Sequence, residues 1–283
     1  MHTHETSQTA LTAAAARAAH LIVDRQPYVF VDRLAEPMLG DQAEELIAYH
    51  REHGDHPVLA GARAQVVTRA RVAERQLARA GADQYVVLGA GLDSFAHRSP
   101  LAEAVHVFEV DHPATQGAKR ERLATLRLEP RGTASYVPVD FERDELIGAL
   151  RTAGLDRDRP AVVSWLGVSM YLTRDAIGHT LDELRALAPG SDLVLDYMLP
   201  AGLRDEAGQT YVDLVAPAAA ERGEPWLSFF APDEMARELG ARGFGDIASL
   251  GQREALDPGM WDRADALRPA RLSMIARARR LVD

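Results

Sequence analysis

The sequence predicts an α/β fold built on a mainly parallel sheet, and three observations carry that prediction. Short continuous apolar runs recur at Gln84–Leu88, Val105–Val110, Ala134–Val139, Ala161–Leu166 and Leu193–Tyr197. Segments of helical period separate them, including Thr115–Leu126, Asp144–Ala153 and Arg174–Leu187. The first run ends in a glycine turn, Gly89-Ala-Gly91. Uninterrupted apolar strands alternating with helices are buried on both faces, which is the signature of parallel strands joined by helical crossovers.

The elements before and after this core complete the outline. Leu11–Val23 is alanine-rich and reads as a helix. Asp41 followed by Glu44 reads as the start of a second helix that ends near Gly54, and Gly61–Ala80 as a third, stopped by Gly81. Leu199–Phe230 lacks a clear period and is broken by Pro200, Gly202, Gly208, Pro217, Gly223 and Pro225, so it is expected to be a long functional connection. A helix at Pro232–Leu239 and strands at Gly243–Leu250 and Arg271–Ala278 follow. The expected organisation of the 283 residues is one domain: a helical cap over 1–80, a ligand-binding core over 82–198, a lid insertion over 199–231, and the rest of the core over 232–283.

Composition removes several functions. A net charge of −10 disfavours nucleic acid and anionic membranes as partners. With no cysteine, disulfide scaffolds, thiolate zinc sites and cysteine nucleophiles are excluded. No apolar run is long enough to span a bilayer, and the polar start of the chain lacks a signal-peptide pattern, so a cytoplasmic location is expected. His50, His53 and His56 are spaced three apart, but Gly54 and Pro57 interrupt the helix, so no metal site is expected.

The glycine turn carries the chemistry. In an open parallel sheet, ligands bind at the carboxyl ends of the strands. Asp111 stands 22 positions after Gly89, about where an acidic side chain meets a ribose diol. A dinucleotide fingerprint needs a third glycine at position 94, where this chain has Ser94 preceded by Asp93. An acid there would repel a pyrophosphate and attract a sulfonium or amino group. The expected cofactor is therefore S-adenosylmethionine. A nicotinamide-dependent oxidoreductase, or a non-catalytic cofactor-binding regulator, remains as the alternative.

Leu88-Gly-Ala-Gly-Leu-Asp-Ser94, Val107-Phe-Glu-Val-Asp-His-Pro113, Val139-Asp-Phe141 and Trp165-Leu-Gly-Val-Ser-Met-Tyr-Leu-Thr173 resemble the leucine carboxyl methyltransferase-like family. This is a branch of the class I S-adenosylmethionine-dependent methyltransferases that includes bacterial members associated with natural products. The resemblance covers residues 20–280. It implies a Rossmann-like sheet of seven strands with the last antiparallel. It also implies cofactor contacts at Arg69, Gly89, Gly91, Asp111, His112, Asp140, Phe141 and Leu166. Many members carry a glutamate where Leu166 stands, so that contact is missing here. At about 100° per residue, Arg69 lies about 60° from Val66, at the edge of the apolar face of its helix, with Arg63 as the reserve at the other edge.

A carboxylate acceptor needs no general base, whereas a phenol or alcohol is helped by one. His112, Tyr171 and Asp196 are the candidates for that role. Tyr28, Tyr171, Tyr197, Tyr211, Trp226, Phe229 and Phe230 are the aromatic side chains expected to line a substrate pocket, with residues 10–40 and 199–230 forming a lid. The expected reaction is O-methylation of a carboxylate or hydroxyl on an aromatic or polyketide-like small molecule, by a protein that can pair as a homodimer.

Overall fold

The computed structural model describes residues 7–282. Seven strands form one sheet: β1 (Gln84–Leu88), β2 (His106–Asp111), β3 (Ala134–Pro138), β4 (Val162–Trp165), β5 (Asp192–Met198), β6 (Phe244–Leu250) and β7 (Ser273–Arg280). Their order is β3-β2-β1-β4-β5-β7-β6. The first five are mutually parallel, and β7 runs antiparallel to both β5 and β6. Each expected strand lies within two residues of its observed position. β1 and β4 lie side by side in the middle of the sheet, and the connections switch from one side of the sheet to the other between them. The carboxyl ends of β1 and β4 are thereby opened as a ligand crevice.

The helices are α1 (Gln8–Val23), α2 (Ala43–His53), α3 (Pro57–Ala80), α4 (Phe95–Arg98), α5 (Pro113–Leu126), α6 (Leu146–Thr152), α7 (Arg174–Leu184), α8 (Glu206–Glu221), α9 (Pro232–Gly240) and α10 (Gln252–Ala255). On one face of the sheet, Leu146, Leu150, Ile177, Leu181, Met235 and Leu239 bury Val86, Phe108, Val163 and Leu195. On the other, α3 places Ala64, Val67, Val72 and Ala73 against Val194 and Ile275. The central strands are buried on both faces, which explains their continuous apolar runs.

Three element readings are corrected. Asp41 is not the cap of α2: a 3₁₀ turn over Pro37–Gln42 comes first, and Gln42 occupies the cap position. α3 begins at Pro57, earlier than its apolar period suggests, because the Nδ1 atom of His56 accepts from the Val58 N–H and proline is tolerated in a first turn. The segment read as irregular over 199–230 contains the 16-residue helix α8, capped by Asp205 and running through Pro217. Among the described residues, no helix is long and apolar enough to cross a membrane.

Candidate active site

The crevice at the carboxyl ends of β1 and β4 widens into a cavity of 1060 Å³. α1, α2, α3 and α8 roof it, and the turns after β1, β2 and β4 form its floor. Of the residues expected to bind cofactor, Arg69, Gly89, Gly91, Asp111, Phe141 and Leu166 line it, and Tyr171, Tyr211 and Trp226 line it from the substrate set.

The glycine turn is shaped by close approach. Gly89 has φ +65°, and a Cβ there would sit 2.2 Å from Val168 Cγ2. Gly91 has φ +48° and lies under α1, where a Cβ would come within 3.1 Å of Ala10 Cβ. Only glycine fits such a turn without strain. Asp111, ending β2, accepts from the backbone N–H groups of Gly91 and of His112, the latter at 2.7 Å. Burial raises its pKa, and these two bonds oppose the rise. An acidic side chain tied to the turn in this way is fixed at the cavity wall, as a ribose-binding acid must be.

Arg69 reaches the cavity from α3. Its guanidinium lies against Gly167, which has φ +75°; a Cβ there would sit 2.3 Å from Nη2, so a side chain in the turn after β4 would be strained and would displace the guanidinium. Nη1 donates to Asp196 Oδ2 at 3.0 Å. The other carboxylate oxygen of Asp196 accepts from Gly167 N–H at 2.6 Å. Asp196 is wholly buried and does not line the cavity. It is therefore a positioning group for Arg69 and not a base facing substrate. Among the described residues, the remaining guanidinium nitrogens of Arg69 have no hydrogen-bond acceptor. They are free to take a carboxylate such as that of the methionine part of the cofactor.

The other candidates divide by where their side chains are committed. His112 is exposed, and its ring caps α5 by accepting from Ala114 N–H, away from the cavity. Asp140 is used in a local turn, where it accepts from Glu142 N–H; Phe141 alone of that pair reaches the cavity. Tyr197 points to the opposite sheet face from Asp196 and is buried against Phe230, with its hydroxyl bonded to Ser249. Phe229 packs below the cavity with Met170 and Met198. Tyr28 stacks edge-on against His20, and its hydroxyl donates to Leu21 O. These four aromatics lie outside the cavity, in packing positions. The reserve arginine, Arg63, is buried in a two-bond pair with Asp24.

Tyr171 is the polar group at the waist of the cavity. Burial raises its pKa, so it is a hydroxyl donor at neutral pH, although Trp226 and Arg69 partly offset the rise. The indole Nε1 of Trp226 is buried beside it and is not aligned with any acceptor closely enough for a full hydrogen bond. Trp226 in turn stacks on Tyr211 at 6.4 Å.

Sequence reasoning missed the brace behind the glycine turn. Arg17 on α1 donates to Leu92 O at 2.7 Å and to Asp32 Oδ2 at 2.9 Å, and Ser94 donates to the other oxygen of Asp32. Burial pushes the Asp32 pKa up, but Arg17 and Arg98 outweigh it and hold the carboxyl below its usual range. The three histidines also part company: His50 faces Arg63, His56 caps α3, and His53 is exposed beside Glu52.

Comparison with known proteins agrees with this geometry. The family model described as leucine carboxyl methyltransferase matches residues 10–185. The Bacillus subtilis protein named "Putative S-adenosyl-L-methionine-dependent methyltransferase YktD" is 32% identical over 268 residues, covering 86% of this chain and 88% of its own. Two solved structures share the fold. The structure named "putative methyltransferase" from Thermobifida fusca YX has a TM-score of 0.59 at 24% identity, covering 89% of this chain and 95% of its own. A DUF574 family protein from Streptomyces avermitilis has a TM-score of 0.60 at 20% identity, covering 94% and 97%.

Proposed function

The chain belongs to the leucine carboxyl methyltransferase family, and we propose that it O-methylates a carboxylate or hydroxyl of a small aromatic or polyketide-like molecule. Its cofactor is S-adenosylmethionine, which supplies an electrophilic methyl group already activated by the sulfonium charge. One cavity joins the glycine turn, Asp111 and Arg69 to a second, mostly apolar compartment, and that continuity is the observation that carries the proposal.

The protein's part is positioning and exclusion of water. Asp111 and the Gly89–Gly91 turn hold the adenosine side, while Arg69, set by Asp196, holds the carboxylate side. Leu166 offers packing where the family resemblance implies a glutamate. At the waist, Tyr171 O–H and Trp226 N–H are donors, and among the described residues the carboxylates nearest them are committed: Asp196 to Arg69 and Gly167, and Glu224 to Ser7 and Thr9, while His112 is turned away. A base-poor, donor-rich waist favours an acceptor oxygen that ionises by itself, a carboxylate or an acidic phenol. The two donors would then orient that oxygen.

The test is a panel of aromatic carboxylates, phenols and alcohols incubated with S-adenosylmethionine, with S-adenosylhomocysteine release measured. Turnover confined to acceptors with pKa values below neutrality is expected. Turnover of unactivated alcohols, or of none of the panel, defeats the reading.

A further inference from the structure

The far compartment of the cavity contains features that methyl transfer by itself does not require. α8 is 16 residues long, yet only Gly208 and Val212 on it are buried. Its Tyr211, Leu214, Val215, Ala218 and Ala219 recur at helical spacing on the side that lines the cavity, and Leu214 is 55% exposed. Opposite stands the amino-terminal half of α3, with Val58, Leu59 and Ala62. From Val58 to Arg69, α3 rises about 16 Å, so the compartment extends well beyond the reacting centre.

Beyond these apolar walls, α2 contributes His50, which lines the cavity although only 6% of its surface is exposed. Its Nδ1 lies 3.3 Å from Arg63 Nη1. A guanidinium can only donate, so Nδ1 must accept, and the ring proton therefore sits on Nε2. Arg63 is held by Asp24 through bonds of 2.9 Å at both carboxylate oxygens, and Asp24 is held in turn by His20 at 2.9 Å. Nε2 of His50 has no protein partner among the described residues. Glu45, Glu52, His56 and Arg222 stand at the exposed rim.

We propose that this compartment selects an elongated, mainly apolar methyl acceptor that carries an uncharged oxygen at the end remote from the methylated group, and that the Nε2–H of His50 donates a hydrogen bond to that oxygen. The chain of buried groups from His20 to Arg63 fixes the tautomer. Burial, reinforced by the Arg63 charge, lowers the pKa of His50 to about 4, so the ring stays a neutral donor at physiological pH. The occupant is the methyl acceptor because the compartment is continuous with the cofactor crevice and opens onto Tyr171. The inference rests on the small-molecule methyltransferase reading, but its test does not use turnover.

Two uncharged fluorescent probes are titrated into protein loaded with S-adenosylhomocysteine: Nile red, which bears a carbonyl oxygen, and pyrene, which bears no acceptor. Both are expected to bind wild-type protein. Leu214→Asp, an exposed change, should weaken both by tenfold or more. His50→Leu should weaken Nile red about fivefold, the worth of one neutral hydrogen bond, and leave pyrene unchanged. His50→Gln should restore Nile red binding. Nile red that fails to bind wild type, equal losses of both probes in His50→Leu, or probe binding indifferent to Leu214→Asp overturns the proposal. The acceptor panel tests the methyltransferase reading separately, because it can fail while the probe pattern holds.

Discussion

Arg69 and Asp196 form an ion pair of 3.0 Å at the junction of α3 and β5, and the same carboxylate fixes the Gly167 turn. One buried group thus sets both a cavity-facing cation and the backbone beneath it. Asp196→Asn keeps the shape and removes the charge. Its S-adenosylmethionine Kd is expected to rise at least tenfold, about 1.4 kcal/mol, because Arg69 loses its anchor. If Asp196 only positions, the pH dependence of kcat keeps its shape in the variant. Loss of an ascending limb from that profile would show Asp196 to be a base.

Gly89 poses a harsher constraint. A side chain there meets Val168 and a left-handed backbone together. Gly89→Ala is expected to lose measurable cofactor binding and about 1–3 kcal/mol of stability. Adding Val168→Ala relieves the clash and leaves the strain, so the double variant should recover stability only in part. Full recovery in urea unfolding would mean that the positive φ is not a constraint.

The central strands β1, β4 and β5 were legible because they are buried along their whole length, so their apolar runs are nearly unbroken. α8 was not, for a physical reason: its apolar side faces a cavity, and Gly208 and Pro217 interrupt the expected period. Side-chain parity explains other differences. Asp196 and Tyr197 are neighbours on β5 and point to opposite faces, so they cannot serve the same site. The motif residues on the strand ends mostly reached the cavity. His50 was read only as one of three spaced histidines, because its surroundings depend on Arg63 and Asp24, which only the folded chain brings together.

The amino-terminal roof is clasped shut by one carboxylate. Glu224, just beyond α8, accepts from Ser7 Oγ at 2.6 Å and from Thr9 N–H at 3.1 Å, at the start of α1. A carboxylate on a helix amino terminus is favourable both as acceptor and as charge. Glu224→Ala should speed amide exchange over residues 8–12 about tenfold and weaken cofactor binding several-fold, since Ala10 covers Gly91. Unchanged exchange in hydrogen–deuterium measurements would show that the clasp does not hold α1.

Acid should destabilise the protein through its buried imidazoles. Burial, followed by the charge of Arg63, lowers the pKa of His50 to about 4; burial, followed by the charge of Lys119, does the same for His97. Below about 6.5 the unfolded chain takes up these protons and the folded chain does not, so the unfolded state gains. The stability is complete above pH 6.5 and is lost as pH falls towards 4, by at most about 1.4 kcal/mol per unit for each ring. Burial raises the pKa values of Glu74, Glu109 and Asp111, which act with the opposite sign, so the total slope is not diagnostic. The difference between wild type and His50→Gln isolates one ring. In urea unfolding at pH 7.0, 5.5 and 4.5, the advantage of wild type over the variant should shrink with each step. A constant difference would mean that His50 titrates alike in the folded and unfolded chains, and that its partnership with Arg63 does not keep it neutral.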